Sequence, residues 1–228
     1  MVLERMLMVH QALGAVLQRK HLELSTPEWK SIPWQEIPKN LKDVLVDVLV
    51  DMPGLVEAFD KMQLCTEPHR QEELRRELIQ SCWEHDRQLL TWSGLLFKQA
   101  NPANPPCKRP CKPQSDDIVT HVAQVHGMSL FWATSLVLYS ILWTASGTET
   151  SLPERTNPIQ HLRDLVGAIA ILLQPASGLY GQQNAALLLE VALQYAVGLG
   201  SSLGENADLL DSLKRLKTDL GKGLENQS

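Results

Sequence analysis

Cysteine is scarce in this 228-residue chain: Cys65, Cys82, Cys107 and Cys111 are too few for a disulfide scaffold of that length. A reducing intracellular compartment is therefore the default expectation. There is no excess of positive charge either, the net charge being −5. This argues against a generally basic nucleic-acid-binding surface, which needs clustered Lys and Arg. Strand-like alternation of apolar and polar residues is missing throughout, and so is any internal repeat. No secretory signal is read at residues 1–20, where Glu4, Arg5, Gln18, Arg19 and Lys20 punctuate the apolar residues. Gly-x-Ser-x-Gly, His-Glu-x-x-His and the P-loop are all absent, and no catalytic residue or cofactor site is assigned. The expectation is a protein that is not an enzyme.

What the chain does have is helical periodicity. Hydrophobic residues at 44% against 21% charged give an ordinary globular balance, enough to bury a core. Val2, Met6, Val9, Leu13 and Val16 share one face of a first helix, either docked on its own core or offered to a partner. An uncapped apolar start also suggests the later part of a larger architecture. Pro27, Pro33 and Pro38 then forbid a continuous helix, so this stretch reads as an ordered loop pinned by Trp29 and Trp34.

Leu41, Val44, Leu45, Val48, Leu49 and Met52 mark a second helix, ended by Pro53-Gly54, and Leu55 to Leu64 a third. A long fourth helix begins near Pro68, its seam running through Leu78, Cys82, His85, Leu89, Trp92 and Leu96. After a Pro-rich loop at 101–113, Ser115, Asp116 and Asp117 supply the cap and acidic first turn of the next helix. Asn157-Pro158 opens another helix, which ends at Gln174-Pro175. Gln182 to Leu199 follows, with Gly198, Gly200 and Gly204 read as a helix end and turn. The last helix runs from Asp208 to Leu220, with Gly221 as its C-cap.

The predicted fold is all-α, an irregular bundle of about seven or eight helices around a buried central helix. It is read as one domain over residues 1–221, followed by a disordered tail at 222–228.

That central helix, from Ile118 to Ala145, is the stretch on which the other readings turn. No charge occurs from Gly127 through Gly147, a window long enough for the ~20 residues that cross a bilayer. It also carries Ser129, Thr134, Ser135, Ser140 and Thr144, and no basic cluster flanks it. The many half-apolar helices elsewhere need something to pack on. A core helix rather than a membrane span is expected. Trp132, Tyr139 and Trp143 on it are the expected lining of any apolar pocket.

Cys107-x3-Cys111 followed by His121-x4-His126 has metal-like spacing, with the two histidines read as sharing a helix face. The spacer at 112–120 is shorter than the roughly twelve residues of a zinc finger, and Pro110 and Pro113 interrupt the hairpin. No metal is assigned. His85, Asp86 and Ser81 are neighbours in sequence that point apart on a helix and form no triad.

Thr26-Pro27-Glu28-Trp29-Lys30-Ser31-Ile32-Pro33-Trp34, then Lys39 and a helix ending in Met52-Pro53-Gly54, resembles the regulatory region of fungal zinc-cluster transcription factors. Asp86, Leu90 and Trp92 on a later helix, and Phe131, Trp132, Ala133 and Tyr139 on the apolar one, are similar to that region too. The stretch from Leu173-Gln174 to Tyr180-Gly181, with Ala185 to Ala192, is similar to its end.

The resemblance implies a helical regulatory domain behind a six-cysteine DNA-binding cluster. That cluster is not in this sequence, so direct nucleic-acid binding does not carry over. The expected function is a transcription-factor-like regulator, nuclear by resemblance and otherwise cytoplasmic. It would act through a protein partner or homodimer, on a metabolic or secondary-metabolite gene set, with no cofactor and no membrane. The alternative is a binding domain for a small apolar metabolite, or an enzyme recruited from the same scaffold.

Overall fold

A computed structural model describes residues 2–36, 38–99, 118–147, 150–203 and 207–225. Among them every regular element is helical, and eight α-helices have nine residues or more. The Pro-rich loop at 101–113, Cys107, Cys111, the expected cap at 115–117 and Gly204 lie outside the described residues. The chain packs as two compact units, Met1–Pro105 with Val137–Asn157, and Pro106–Leu136 with Pro158–Ser228.

In the first unit, α1 (Val2–Gln18) packs on α3 (Leu41–Leu49) and α4 (Met52–Leu64). Val9, Leu13 and Val16 are buried there, as their shared face requires. Between α1 and α3 the chain forms a 3-10 turn at Glu23–Ser25, a short α2 (Pro27–Ser31) and a 3-10 turn at Ile32–Trp34, the three prolines preventing one continuous helix. Trp29 is 49% exposed, so it does not pin this segment as expected; ion pairs described below do.

Asn40 caps α3 in a reciprocal box with Asp43, each accepting from the other's backbone N–H. Pro53-Gly54 does not end that helix. Pro53 sits in the first turn of α4, where a missing N–H costs nothing. Helix α5 (Pro68–Gln99) packs against α3 and α4 and buries Leu78, Cys82, Leu89 and Trp92 along the expected seam. The indole N–H of Trp92 donates to the Leu41 carbonyl at 2.6 Å, fixing α5 to the first turn of α3.

Helix α6 (Ile118–Ser146) contributes its first part to the second unit and its last part to the first. Residues from Trp132 to Tyr139 are buried without interruption, so no side of the helix there faces solvent. His121–Ser146 is long and apolar enough to cross a membrane, yet 83% of its most apolar window is buried inside the fold. Gly147, at φ 70°, provides the left-handed residue that stops the helix. The last turn has no basic residue of its own, but Arg75 from α5 donates to the Ala145 carbonyl at 2.9 Å.

The second unit contains α7 (Pro158–Leu172), α8 (Gly178–Leu203) and α9 (Ala207–Glu225), each packed on the other two. Helix α8 begins before the expected Gln182 and runs through Gly198 and Gly200, which are therefore not a turn. Its start is set by Gly178, at φ 64°. At Gly181 a Cβ would come within 2.5 Å of Ser177 Cβ and 3.0 Å of the Leu172 carbonyl, so only glycine allows this close return. Helix α9 likewise continues through Gly221, the expected C-cap, as far as Glu225. One interior glycine costs only about 1 kcal/mol, which Leu209 and Leu213, buried on the inner face, readily outweigh.

Candidate functional site

The proline-broken segment brings Lys30 over the junction of α3 and α4, where Asp51 occupies the short link. Lys30 Nζ lies 2.6 Å from both Asp51 carboxylate oxygens. From α5, His85 Nε2 reaches the same carboxylate at 3.2 Å, while its Nδ1 lies 2.8 Å from the Ser81 carbonyl. Both ring nitrogens thus face acceptors, an arrangement that only the imidazolium satisfies fully.

Burial works against that charge, and so does Lys30. The Asp51 hydrogen bond, the Ser81 carbonyl and the Asp51 charge outweigh them and raise the His85 pKa above its ordinary value. Ser81 contributes a carbonyl, not its hydroxyl, and Asp86 points elsewhere, so the three form no triad, as expected from their spacing. Chemically this is one carboxylate shared by two cations. It holds the segment in place and offers no nucleophile.

A second tie lies beside it. Lys39 pairs with Asp47 and sits 5.5 Å from the centroid of the Trp34 ring. Burial nonetheless dominates at Asp47 and raises its pKa despite Lys39.

Asp86 is almost wholly buried, at 2% exposure. Tyr139 donates its hydroxyl to Oδ1 at 2.9 Å, and Arg155 donates to Oδ2 at 2.7 Å from a 3-10 turn at Glu154–Thr156. The Arg155 guanidinium also lies 5.9 Å from the Trp83 ring centroid. Burial, followed by the Asp86 charge, pushes the Tyr139 phenol far above its ordinary range, so it remains a donor. Neither Arg155 nor Asp51 was singled out from the sequence. Their partners are 69 and 21 residues away, beyond the reach of helical spacing.

Of the expected pocket residues, Trp132 is buried in the second unit and Tyr139 in the first, while Trp143 is 40% exposed. Their spacing does place all three on one stripe of α6, but the Tyr139 hydroxyl is engaged by Asp86.

The metal-like set fares differently. His121 and His126 are five positions apart, about 140° around a helix, so the expectation of a shared face fails. His126 is buried with its Nδ1 3.1 Å from the Tyr180 hydroxyl, the two rings edge-on at 5.3 Å. No group of three or more His, Cys, Asp or Glu positioned to hold a metal ion occurs among the described residues. Compared with known proteins, the chain matches no family model, no curated protein and no solved structure.

Proposed function

We propose that this chain is a transcription-factor-like regulatory module of the fungal zinc-cluster type that acts through a protein partner or a second copy of itself. The six-cysteine cluster is not among these 228 residues, and the proposed action of this module is through its partner. A nuclear location and a metabolic gene set belong to the same reading.

One observation supports it above the rest. Several residues on which the resemblance rests take part in side-chain contacts within the first unit. Lys30 grips the carboxylate just before Met52-Pro53-Gly54. Lys39 covers Trp34. Trp92 closes on the first turn of α3, and Asp86 holds Tyr139.

The test is transcriptional. Fused to an unrelated DNA-binding module in a fungal host, the chain is expected to raise or lower a reporter several-fold relative to the module alone. An unchanged reporter at matched protein level would overturn the proposal.

A further inference from the structure

Helix α1 buries Val9, Ala12, Leu13 and Val16 and turns Leu7, Gln11 and Gln18 to solvent. We propose that this outer face binds a second copy of the chain across a two-fold axis that crosses α1 between His10 and Gln11. A second copy is one of the partners named in the regulatory reading, on which this inference rests for its purpose but not for its geometry.

At about 100° per residue, Gly14 and Gln18 fall within about 20° of Leu7 around the helix, and Gln11 within about 40°. Leu7 is a projecting knob, 57% exposed. Two turns on, a Cβ added at Gly14 would meet nothing within 4 Å, and Gly14 and Ala15 line one side of an open groove. Its far side is the chain that leaves α1, together with Trp29. That side stands there because the chain reverses at Arg19, whose φ of 56° is left-handed and whose guanidinium grips Asp60 of α4.

One helix face thus carries both a knob and a recess. A two-fold axis reverses the partner helix, so a residue some places before the axis meets the residue equally far after it. Leu7 and Gly14 are equidistant from the point between His10 and Gln11. Each copy's Leu7 therefore enters the other's recess, against Ala15 and the exposed indole of Trp29. Both recesses fill at once, and the assembly closes as a dimer.

Charge selects the same partner. A two-fold axis brings residues close to their own copies, so a charged patch would meet its like. From Leu7 to Gln18 there is no Asp, Glu, Lys or Arg. Gln11 beside the axis is neutral and can both donate to and accept from its mate. Leu90 on α5, by contrast, is exposed one turn from the exposed Arg87, which suits self-association less well. Twelve residues of helix are about 18 Å long, so α1 supplies only part of the ~800 Å² per partner of a stable interface. The dimer is accordingly weak, forming at roughly 100 µM chain.

Sedimentation velocity of the full chain, over about a hundredfold range of concentration around that value, reads the association. The parent is expected to pass from monomer to dimer and no further. Leu7→Ala removes the knob and Gly14→Leu fills the recess, and each alone is expected to weaken association about tenfold. Mixed, they complement: one chain has two recesses and the other two knobs, so a one-to-one dimer is expected to return. Melting curves check that each variant is folded. Should Gly14→Leu not fold, Gln11→Glu at an exposed position is expected to weaken the dimer by setting two carboxylates together at the axis. A parent that stays monomeric, as it would if a different protein covers this face, would overturn the interface. So would growth beyond the dimer, or a mixture no more associated than either variant alone. A reporter response from a monomeric chain would remove the dimer and keep the regulatory reading, and a dimer with a silent reporter would do the reverse.

Discussion

The Tyr139 hydroxyl donates a 2.9 Å hydrogen bond to Asp86 Oδ1, joining α6 to α5 inside the first unit. Asp86 is 2% exposed and Tyr139 3%, so neither group has water to fall back on. A buried carboxylate that loses a donor keeps its desolvation cost without the compensation.

Tyr139→Phe keeps the ring and removes only the donor. The expected loss of stability is about 1–3 kcal/mol, with Arg155 still holding the other oxygen. Urea denaturation checks this: the midpoint falls while the slope is preserved. A midpoint equal to that of the parent would show that the contact is not made.

The Lys30–Asp51–His85 group gives a pH signature. The folded pKa of His85 is raised above its unfolded value near 6.5, so the stabilisation is fully present below that value. It is lost as pH rises through the folded pKa. Comparing the parent with His85→Gln by denaturation at about pH 5.5 and about pH 9 should show a larger gap at the acid end. A gap that is constant, or larger at the alkaline end, would contradict the paired imidazolium.

Burial alone pushes the Cys82 thiol up to about 12. Only the thiolate reacts, and Cys82 is fully enclosed on the α5 seam, so it should resist alkylation in the native protein. Cys65, partly exposed after α4, should be modified readily. Peptide mapping after brief iodoacetamide treatment distinguishes the two, and rapid labelling of Cys82 would mean that the seam is open.

Much of the fold was legible because burial leaves a periodic mark. The α5 seam, the buried run of α6 and the Asn157-Pro158 start of α7 follow from spacing and from proline chemistry. Boundaries at glycine and proline were less legible, since either residue suits a first turn, an interior or a stop according to what packs around it. Pro53 starts α4 where a stop was expected, and α8 passes through Gly198 and Gly200 on the strength of its buried face.

The polar ties were the least legible. His85 was placed on its seam correctly, but Asp51 lies 34 residues away and nothing in a helical period points to it. The reversal after α1 was equally hidden, because it is a left-handed turn at Arg19, and arginine has no preference for that conformation.

The most direct test of the regulatory reading is the tethered reporter run with the parent chain and Leu142→Asp. Leu142 is fully buried in α6, so an unpaired carboxylate there should unfold the protein. The expected result is a several-fold change in reporter output with the parent and none with Leu142→Asp at equal protein level. Equal output from the two chains, or none from the parent, would contradict a function that resides in the folded helical module.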